Sequence, residues 1–266
     1  MAFTRPRVLI TGASAGIGAE FARVFAANGH DLILVARRED RLNALRDELA
    51  PTGADIVVIV KDLALKTAAS ALHKDVKKRG LPVDVLVNNA GIAYGGAFTA
   101  MNADDVARMV LVNAATLATL TRLFVTDMLA RGAGRILNVS SLSAFQAVPN
   151  MSLYAATKAF VLSFSEGLAE ELRGSGVTVT ALCPGVTDTE MVHDIAHPGG
   201  AFPELPAFLI SDVKAVAKEG YEACVAGEVV RVPGFANQLS ALWSQTQPRW
   251  LVRTFSGIFS RQLMRR

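Results

Sequence analysis

Six short runs of aliphatic and β-branched residues recur along the 266-residue chain, each followed by a longer stretch of helical period. They are RVLIT at 7–11, DLILVA at 31–36, DIVVIV at 55–60, VDVLVN at 83–88, RILNVS at 135–140 and VTVTAL at 177–182. A strand that is apolar along its whole length has no face to give to water, so both of its faces must be covered. Strict alternation of such strands with helices meets that need in a doubly wound parallel sheet with helices on both faces, an α/β fold. Gly29, Gly80 and Gly174 follow FARVFAAN, HKDVKKR and AEELR, where a left-handed helix cap is easiest for glycine. EVVRV at 228–232 is expected as a seventh strand, after a helix that begins near Ser211.

With 51% hydrophobic and 19% charged residues, a chain of this length can bury most of its apolar surface, and residues 1–266 are expected to form a single domain. Only three apolar residues separate the basic lead MAFTRPR from Thr11, too few for the core of a signal peptide. No uninterrupted apolar run reaches the roughly 18 to 20 residues that span a bilayer. Cys183 and Cys224 offer no disulfide framework, so a cytoplasmic setting is expected. The net charge is +3, yet six arginines and no acid follow Glu228, which leaves −3 for residues 1–228. The basic character therefore belongs to the tail, which bears on membranes more than on nucleic acid, and no nucleic-acid partner is expected.

The first strand runs into TGASAGIG, with Gly12, Gly16 and Gly18 at the mouth of a helix that Ile17 enters. Glycines there let the backbone turn tightly and approach a pyrophosphate, which then sits on the helix N-terminus. NNAG at 88–91 ends the fourth strand and PGVTDTEM at 184–191 leaves the sixth, both at the carboxyl edge of the sheet, where open α/β folds bind ligands. In YAATK, Tyr154 and Lys158 stand one helical turn apart on a single face.

Together with NVSS at 138–141 and Asn113 in LVNAATL, this ordered set over residues 7–191 resembles the short-chain dehydrogenase/reductase family. The resemblance implies an oxidoreductase that interconverts a carbonyl and an alcohol. It implies that Tyr154 acts as general acid and base, that Lys158, aided by the positive charge of an oxidised nicotinamide, lowers the phenol pKa toward the working range, and that Ser141 hydrogen-bonds the substrate oxygen. Asn113 is expected to hold a water connecting Lys158 to solvent. The cofactor site it implies comprises Gly12, Ser14, Gly16, Ile17 and Gly18, then Asp62 and Leu63 at the adenine. Asn89, Ala90, Gly91, Tyr154, Lys158, Pro184, Gly185, Thr187 and Thr189 complete it.

Cofactor choice turns on LILVARRED, because an acid at the end of the second strand accepts the ribose hydroxyls of NAD. This chain has Ala36 followed by Arg37 and Arg38, and a guanidinium pairs with a 2′-phosphate, so NADP is expected. Ala15 stands where many NADP-preferring relatives carry a basic residue. Glu39 and Asp40 are expected to cap the following helix rather than reach the ribose.

Phe202, Leu205, Phe208 and Leu209 make the variable segment 192–212 apolar, and Phe145 and Met151 flank the Ser–Tyr pair. An apolar or aromatic small-molecule carbonyl or alcohol is the expected substrate, bound by Ser141, Phe145, Met151 and Tyr154. His193 and His197 stand four residues apart with no third ligand at compatible spacing, so no metal is expected. The helices around 106–129 and 159–172 carry more apolar positions than one stripe, which suggests a homodimer or homotetramer. Within the segment 236–266, Leu251, Phe255, Ile258 and Phe259 form a stripe with Arg249, Arg253 and Arg261 largely off it, behind Pro248. Docking on the protein's own substrate rim or on a partner subunit is favoured for this tail over membrane contact. The alternatives to a soluble reductase are a catalytically idle dinucleotide-binding regulator and a membrane-associated reductase of lipid-like ketones.

Overall fold

The computed structural model describes residues 5–192 and 210–254. Strands β1 (Arg7–Thr11), β2 (Asp31–Ala36) and β3 (Ile56–Val60) alternate with helices α1 (Gly16–Ala27), α2 (Glu39–Leu49) and α3 (Ala68–Lys78). β4 (Val85–Asn88) leads to α4 (Ala103–Val110), a π-helical turn (Leu111–Thr116) and α5 (Leu117–Arg131). β5 (Gly134–Val139), α6 (Ser152–Glu171), β6 (Val177–Leu182), α7 (Val213–Ala226), β7 (Val230–Arg231) and α8 (Phe235–Thr246) follow. The strands form one sheet in the order β3-β2-β1-β4-β5-β6-β7, parallel at every pairing.

Alternate residues of each strand serve opposite layers, as the two-residue strand period requires. Val8, Ile10, Leu32 and Leu34 pack with Phe21, Phe25, Leu42 and Val216, under α1, α2 and α7. Leu9, Ile33, Leu86 and Ile136 face the other way onto Leu72, Leu120, Phe124 and Met128, under α3 and α5. A buried amide chain links this second layer to the sheet: Asn88 donates to Thr121 and Asn138, and Asn138 donates to Ser165, each at 2.9 Å. These side-chain bonds tie α5 and α6 to the ends of β4 and β5.

Several expectations are corrected at the edges. β7 has two residues instead of five, because the Glu228 N–H closes α7 onto Ala223 O at 3.0 Å and Pro233 offers no donor. Glu39 and Asp40 occupy the first turn of α2, where they meet its dipole, while the cap position is Arg38, with no side-chain cap bond. Residues 103–131 form one continuous helical stretch that is long and apolar enough to cross a membrane, although no uninterrupted apolar run predicted it. Just over half of its apolar window is buried inside the protein, as for a core helix. In the tail, residues 249–254 are helical behind Pro248, and the buried residue is Val252, while Leu251 is only half-buried. Phe255, Ile258, Phe259 and Arg261 lie outside the described residues, as do His193, His197, Phe202, Leu205, Phe208 and Leu209.

Candidate active site

Strand order reverses between β1 and β4, which opens a crevice at their carboxyl ends. The turn after β1 is pinned to the turn after β4. The Thr11 hydroxyl donates to Val87 O and accepts the N–H groups of Asn89 and Ala90 at 3.0 Å each. Asn89 Nδ2 donates to Thr11 O and Gly12 O at 3.0 and 3.2 Å. Gly12 and Gly16 adopt left-handed φ values of 68° and 54°, which glycine takes without strain. Gly18 serves packing: a Cβ there would lie 2.3 Å from Gly12 O and 2.5 Å from Asn89 Nδ2, so helix, strand end and NNAG loop touch only because it is absent.

The acid–base residues converge from two elements. α6 carries Tyr154 and Lys158 on one face, and Ser141 follows β5 as the cap of a short 3-10 turn, accepting Ser143 N–H at 3.1 Å. Ser141 hydrogen-bonds the Tyr154 phenol, which favours the phenolate, yet burial dominates and pushes the phenol up to about 12. The expected lowering of this pKa by Lys158 is therefore not found in the protein alone. Lys158 Nζ donates to Val139 O at 2.9 Å and lies 5.6 Å from the Tyr154 ring centre, and burial lowers its own pKa to about 8. The lysine backbone is fixed as well, since Lys158 O accepts Ser140 Oγ at 2.7 Å.

Asn113 sits in the π-helical turn, a feature the helical periodicity gave no sign of and one that often marks functional sites. Its side chain is committed to protein: Oδ1 accepts Ile92 N–H at 2.9 Å, and Nδ2 donates to Ile92 O and Thr157 Oγ1 at 2.8 and 3.1 Å. The amide thus ties the loop after β4 to α6. Gly91 lies in the same corner, where a Cβ would be 3.4 Å from Asn113 Oδ1 and 3.6 Å from Lys158 Nζ.

These residues face a cleft of about 850 Å³. Along one side it is lined by Gly12, Ser14, Gly16, Ile17, Arg37, Arg38, Asp62 and Leu63, and along the other by Asn89, Ala90, Gly91, Ser141, Tyr154 and Lys158. Pro184, Gly185, Thr187 and Thr189 cross its rim. Gly18 and Asn113, expected at the site, stand behind this lining. Of the expected substrate residues, Phe145 packs half-buried onto the Leu162–Ala181–Cys183 cluster and Met151 is buried, and neither is among the described residues that line the cleft. The apolar lining of the cleft includes Ile92, Ala93, Tyr94, Val112, Met191 and Val192. Sequence reasoning passed over most of them, although IAYGG directly after NNAG is a glycine-bearing loop at the ligand edge. Tyr94 is held by its hydroxyl donating to Asp105 at 3.0 Å, and burial raises its pKa. α8 braces the same rim, with Asn237 packed against Gly185 and the Ser244 hydroxyl bonded to Gln146 at 3.3 Å. Among the described residues, no group of three or more His, Cys, Asp or Glu is placed to hold a metal.

A parallel sheet with a glycine turn at its switch point and a Ser–Tyr–Lys group in the adjoining cleft defines a dinucleotide-binding oxidoreductase. The short chain dehydrogenase family pattern matches residues 6–198, and the chain belongs to that family. The chain is 35% identical to oxidoreductase UcpA of Escherichia coli (strain K12) over 211 residues, 79% of each protein. It is 38% identical to the NADP-dependent 3-hydroxy acid dehydrogenase YdfG of Salmonella typhi over 181 residues, 67% of this chain and 71% of the relative. The structure of a short-chain dehydrogenase from Sphingobium yanoikuyae in complex with NADPH superposes with a TM-score of 0.80 at 34% identity, covering 89% of this chain and 92% of the other. A family member from Burkholderia phymatum in complex with NAD gives a TM-score of 0.79 at 26% identity over 91% and 93%.

Proposed function

We propose that this protein is an NADP(H)-dependent reductase or dehydrogenase that interconverts a carbonyl and an alcohol on an apolar or aromatic small molecule. The observation that carries this reading is the meeting of Ser141, Tyr154 and Lys158 at one end of a cleft whose other end is bordered by Arg37 and Arg38. Bound NADP(H) would supply or accept a hydride at the substrate carbon. The glycine turn with Ser14 and Ile17 would take the pyrophosphate, Asp62 and Leu63 the adenine, and Asn89 to Gly91, Pro184, Gly185, Thr187 and Thr189 the remainder. Arg37 and Arg38 favour the phosphorylated cofactor, since no acid stands at Ala36 to repel it. The NADP dependence of one relative and the NADPH bound to one structural neighbour agree with this, whereas the NAD bound to another neighbour means that the fold serves both.

Tyr154 is the proton donor in reduction. A phenol kept protonated by burial is ready to give its proton to a carbonyl oxygen, and the hydrogen bond from Ser141 steadies the charge that develops there. Lys158 places a cation under the phenol, and the Asn113 amide holds the loop that closes this corner. The side chains of Ile92, Val112, Met191 and Val192 favour an apolar substrate body over a sugar or an acid.

We further propose one domain with a variable substrate segment at 192–212, a homo-oligomer built on α4 to α6, and a cytoplasmic setting. Val110, Leu129 and Phe160 are exposed on those helices, with Phe160 stacked on Phe164 at 5.8 Å, which supports a second copy there. The contacts of α8 with Gly185 and Gln146 support docking of the C-terminal segment on the substrate rim. Incubating the protein with a panel of ketones, aldehydes and alcohols, with each nicotinamide cofactor, tests the function. Cofactor turnover with apolar carbonyls is expected, and its absence across the panel overturns the reading in favour of an idle dinucleotide binder.

A further inference from the structure

Glu190 lines the cleft one residue after Thr189, within the PGVTDTEM segment, and the proposed chemistry gives it no role. Its carboxylate is shared between two guanidinium groups. Oε2 accepts from Arg38 Nη1 at 2.9 Å, and Oε1 accepts from Arg41 Nη1. Arg38 also donates through Nε and Nη2 to the Ser14 hydroxyl at 3.3 and 3.2 Å. Arg38 at the cap of α2 and Arg41 in its first turn thus flank one anion, with Ser14 of the glycine turn bonded to Arg38, and that anion belongs to the protein. Both arginines hold the Glu190 carboxyl below the usual range, so it is ionised at neutral pH.

We propose that Glu190 is a specificity-determining residue whose carboxylate occupies the 2′-phosphate position between Arg38 and Arg41, and that a 2′-phosphate displaces it on binding. This rests on the NADP reading of the same cleft. A carboxylate bridging two guanidiniums presents two acceptor oxygens much as a phosphate does. A phosphomonoester brings about two negative charges to the same cations, and it cannot share them with a carboxylate in contact without repulsion. The three side chains are 41%, 42% and 50% exposed, so water screens the resident pairs and the carboxylate can leave at small cost. Glu190 therefore sets back the phosphorylated cofactor alone. NADH leaves the Arg38–Glu190–Arg41 bridge intact, whereas NADPH has to break it.

Glu190→Gln keeps the size of the side chain and removes the competing charge. The test measures dissociation constants of NADPH, NADH and 2′,5′-ADP for the full-length wild type and for Glu190→Gln, by calorimetry or cofactor fluorescence at fixed ionic strength. The expected result is NADPH and 2′,5′-ADP bound about 3- to 10-fold more tightly by the variant, the scale of losing one or two exposed ion pairs, with NADH unchanged. A wild type that prefers NADPH, combined with a variant whose NADPH and 2′,5′-ADP affinities do not rise, overturns the role of Glu190 and leaves the cofactor reading standing. Equal gains for NADPH and NADH also overturn it, since a general change in the cleft would then be the cause. A wild type with no preference for NADPH overturns the cofactor reading, and the role of Glu190 falls with it.

Discussion

Lys158 Nζ lies 5.6 Å from the centre of the Tyr154 ring and gives its hydrogen bond to Val139 O at 2.9 Å. The lysine thus sits beneath the phenol as a nearby charge and makes its direct contact with the end of β5. Burial works against the charged form of both groups, raising the phenol to about 12 and lowering the ammonium to about 8. In the protein alone the pair rests as neutral phenol and ammonium at neutral pH, the arrangement a proton donor needs for reduction.

Tyr154→Phe should leave the cleft intact and remove only the transferable proton. Turnover should fall by about 10²-fold or more, the scale of general acid–base catalysis, while NADPH affinity stays within a few-fold of the wild type. Steady-state rates together with fluorescence titration of NADPH check both halves, and substantial residual turnover would remove Tyr154 from its role.

Lys158→Met should stabilise the cofactor-free protein while destroying activity. The folded pKa of about 8 lies below the ordinary 10.5, so the unfolded chain binds this proton more tightly and folding is penalised wherever the lysine is charged. That penalty is fully present below pH 8 and fades as pH rises from 8 to 10.5. A shift of this size corresponds to about 3 kcal/mol, and the lost bond to Val139 O offsets part of it, so a gain of roughly 1 to 2 kcal/mol is expected at pH 7. Denaturant melts of wild type and variant at pH 7 and pH 10 should show the difference shrinking. A constant difference would mean that the lysine proton is not linked to folding.

Gly18→Ala should damage cofactor site and fold together. The new methyl would meet Gly12 O and Asn89 Nδ2 at 2.3 and 2.5 Å, so α1 or the turn after β1 has to move. Overpacking of this kind costs about 1 to 3 kcal/mol. A lowered melting temperature with weakened NADPH binding is expected, and a variant with wild-type values for both would separate Gly18 from the packing of the site.

The sheet was legible because its strands are apolar throughout and its helices end on glycines, signals that local sequence carries. The glycine turn, NNAG and the Tyr–Lys pair were legible for the same reason, each being a short motif at a strand end or on one helix face. What escaped depends on contacts between distant segments. The π-helical turn around Asn113 keeps the same apolar pattern as the α-helix on either side, and the commitment of its amide to Ile92 and Thr157 cannot be read from spacing. Phe145 and Met151 flank the catalytic pair in sequence, but Phe145, at the end of the 3-10 turn Leu142–Phe145, packs half-buried against Leu162, Ala181 and Cys183. The pairing of Glu190 with Arg38 and Arg41 joins residues about 150 positions apart, beyond any local rule.

The same arrangement sharpens what to expect at the end of β2. Arg38 is tied to Ser14 and Glu190, whereas Arg37 lines the cleft with no ion pair among the described residues, so Arg37 is free to add its guanidinium to a 2′-phosphate seated beside Arg38. A charge-assisted hydrogen bond contributes about 1.5 to 3 kcal/mol, which corresponds to roughly 10- to 150-fold in affinity. Arg37→Ala should raise KM for NADPH within that range and leave KM for NADH nearly unchanged. Ala36→Asp should go further, since a carboxylate at the strand end repels the phosphate and offers acceptors to the free ribose hydroxyls of NADH. Arg38 can share the contact once Glu190 has been displaced, so the single Arg37 variant should keep a reduced preference and Arg37→Ala/Arg38→Ala should lose it. Paired kcat/KM values for NADPH and NADH across these variants decide the matter, and a wild type with equal or better kcat/KM for NADH would overturn the cofactor assignment while leaving fold and family untouched.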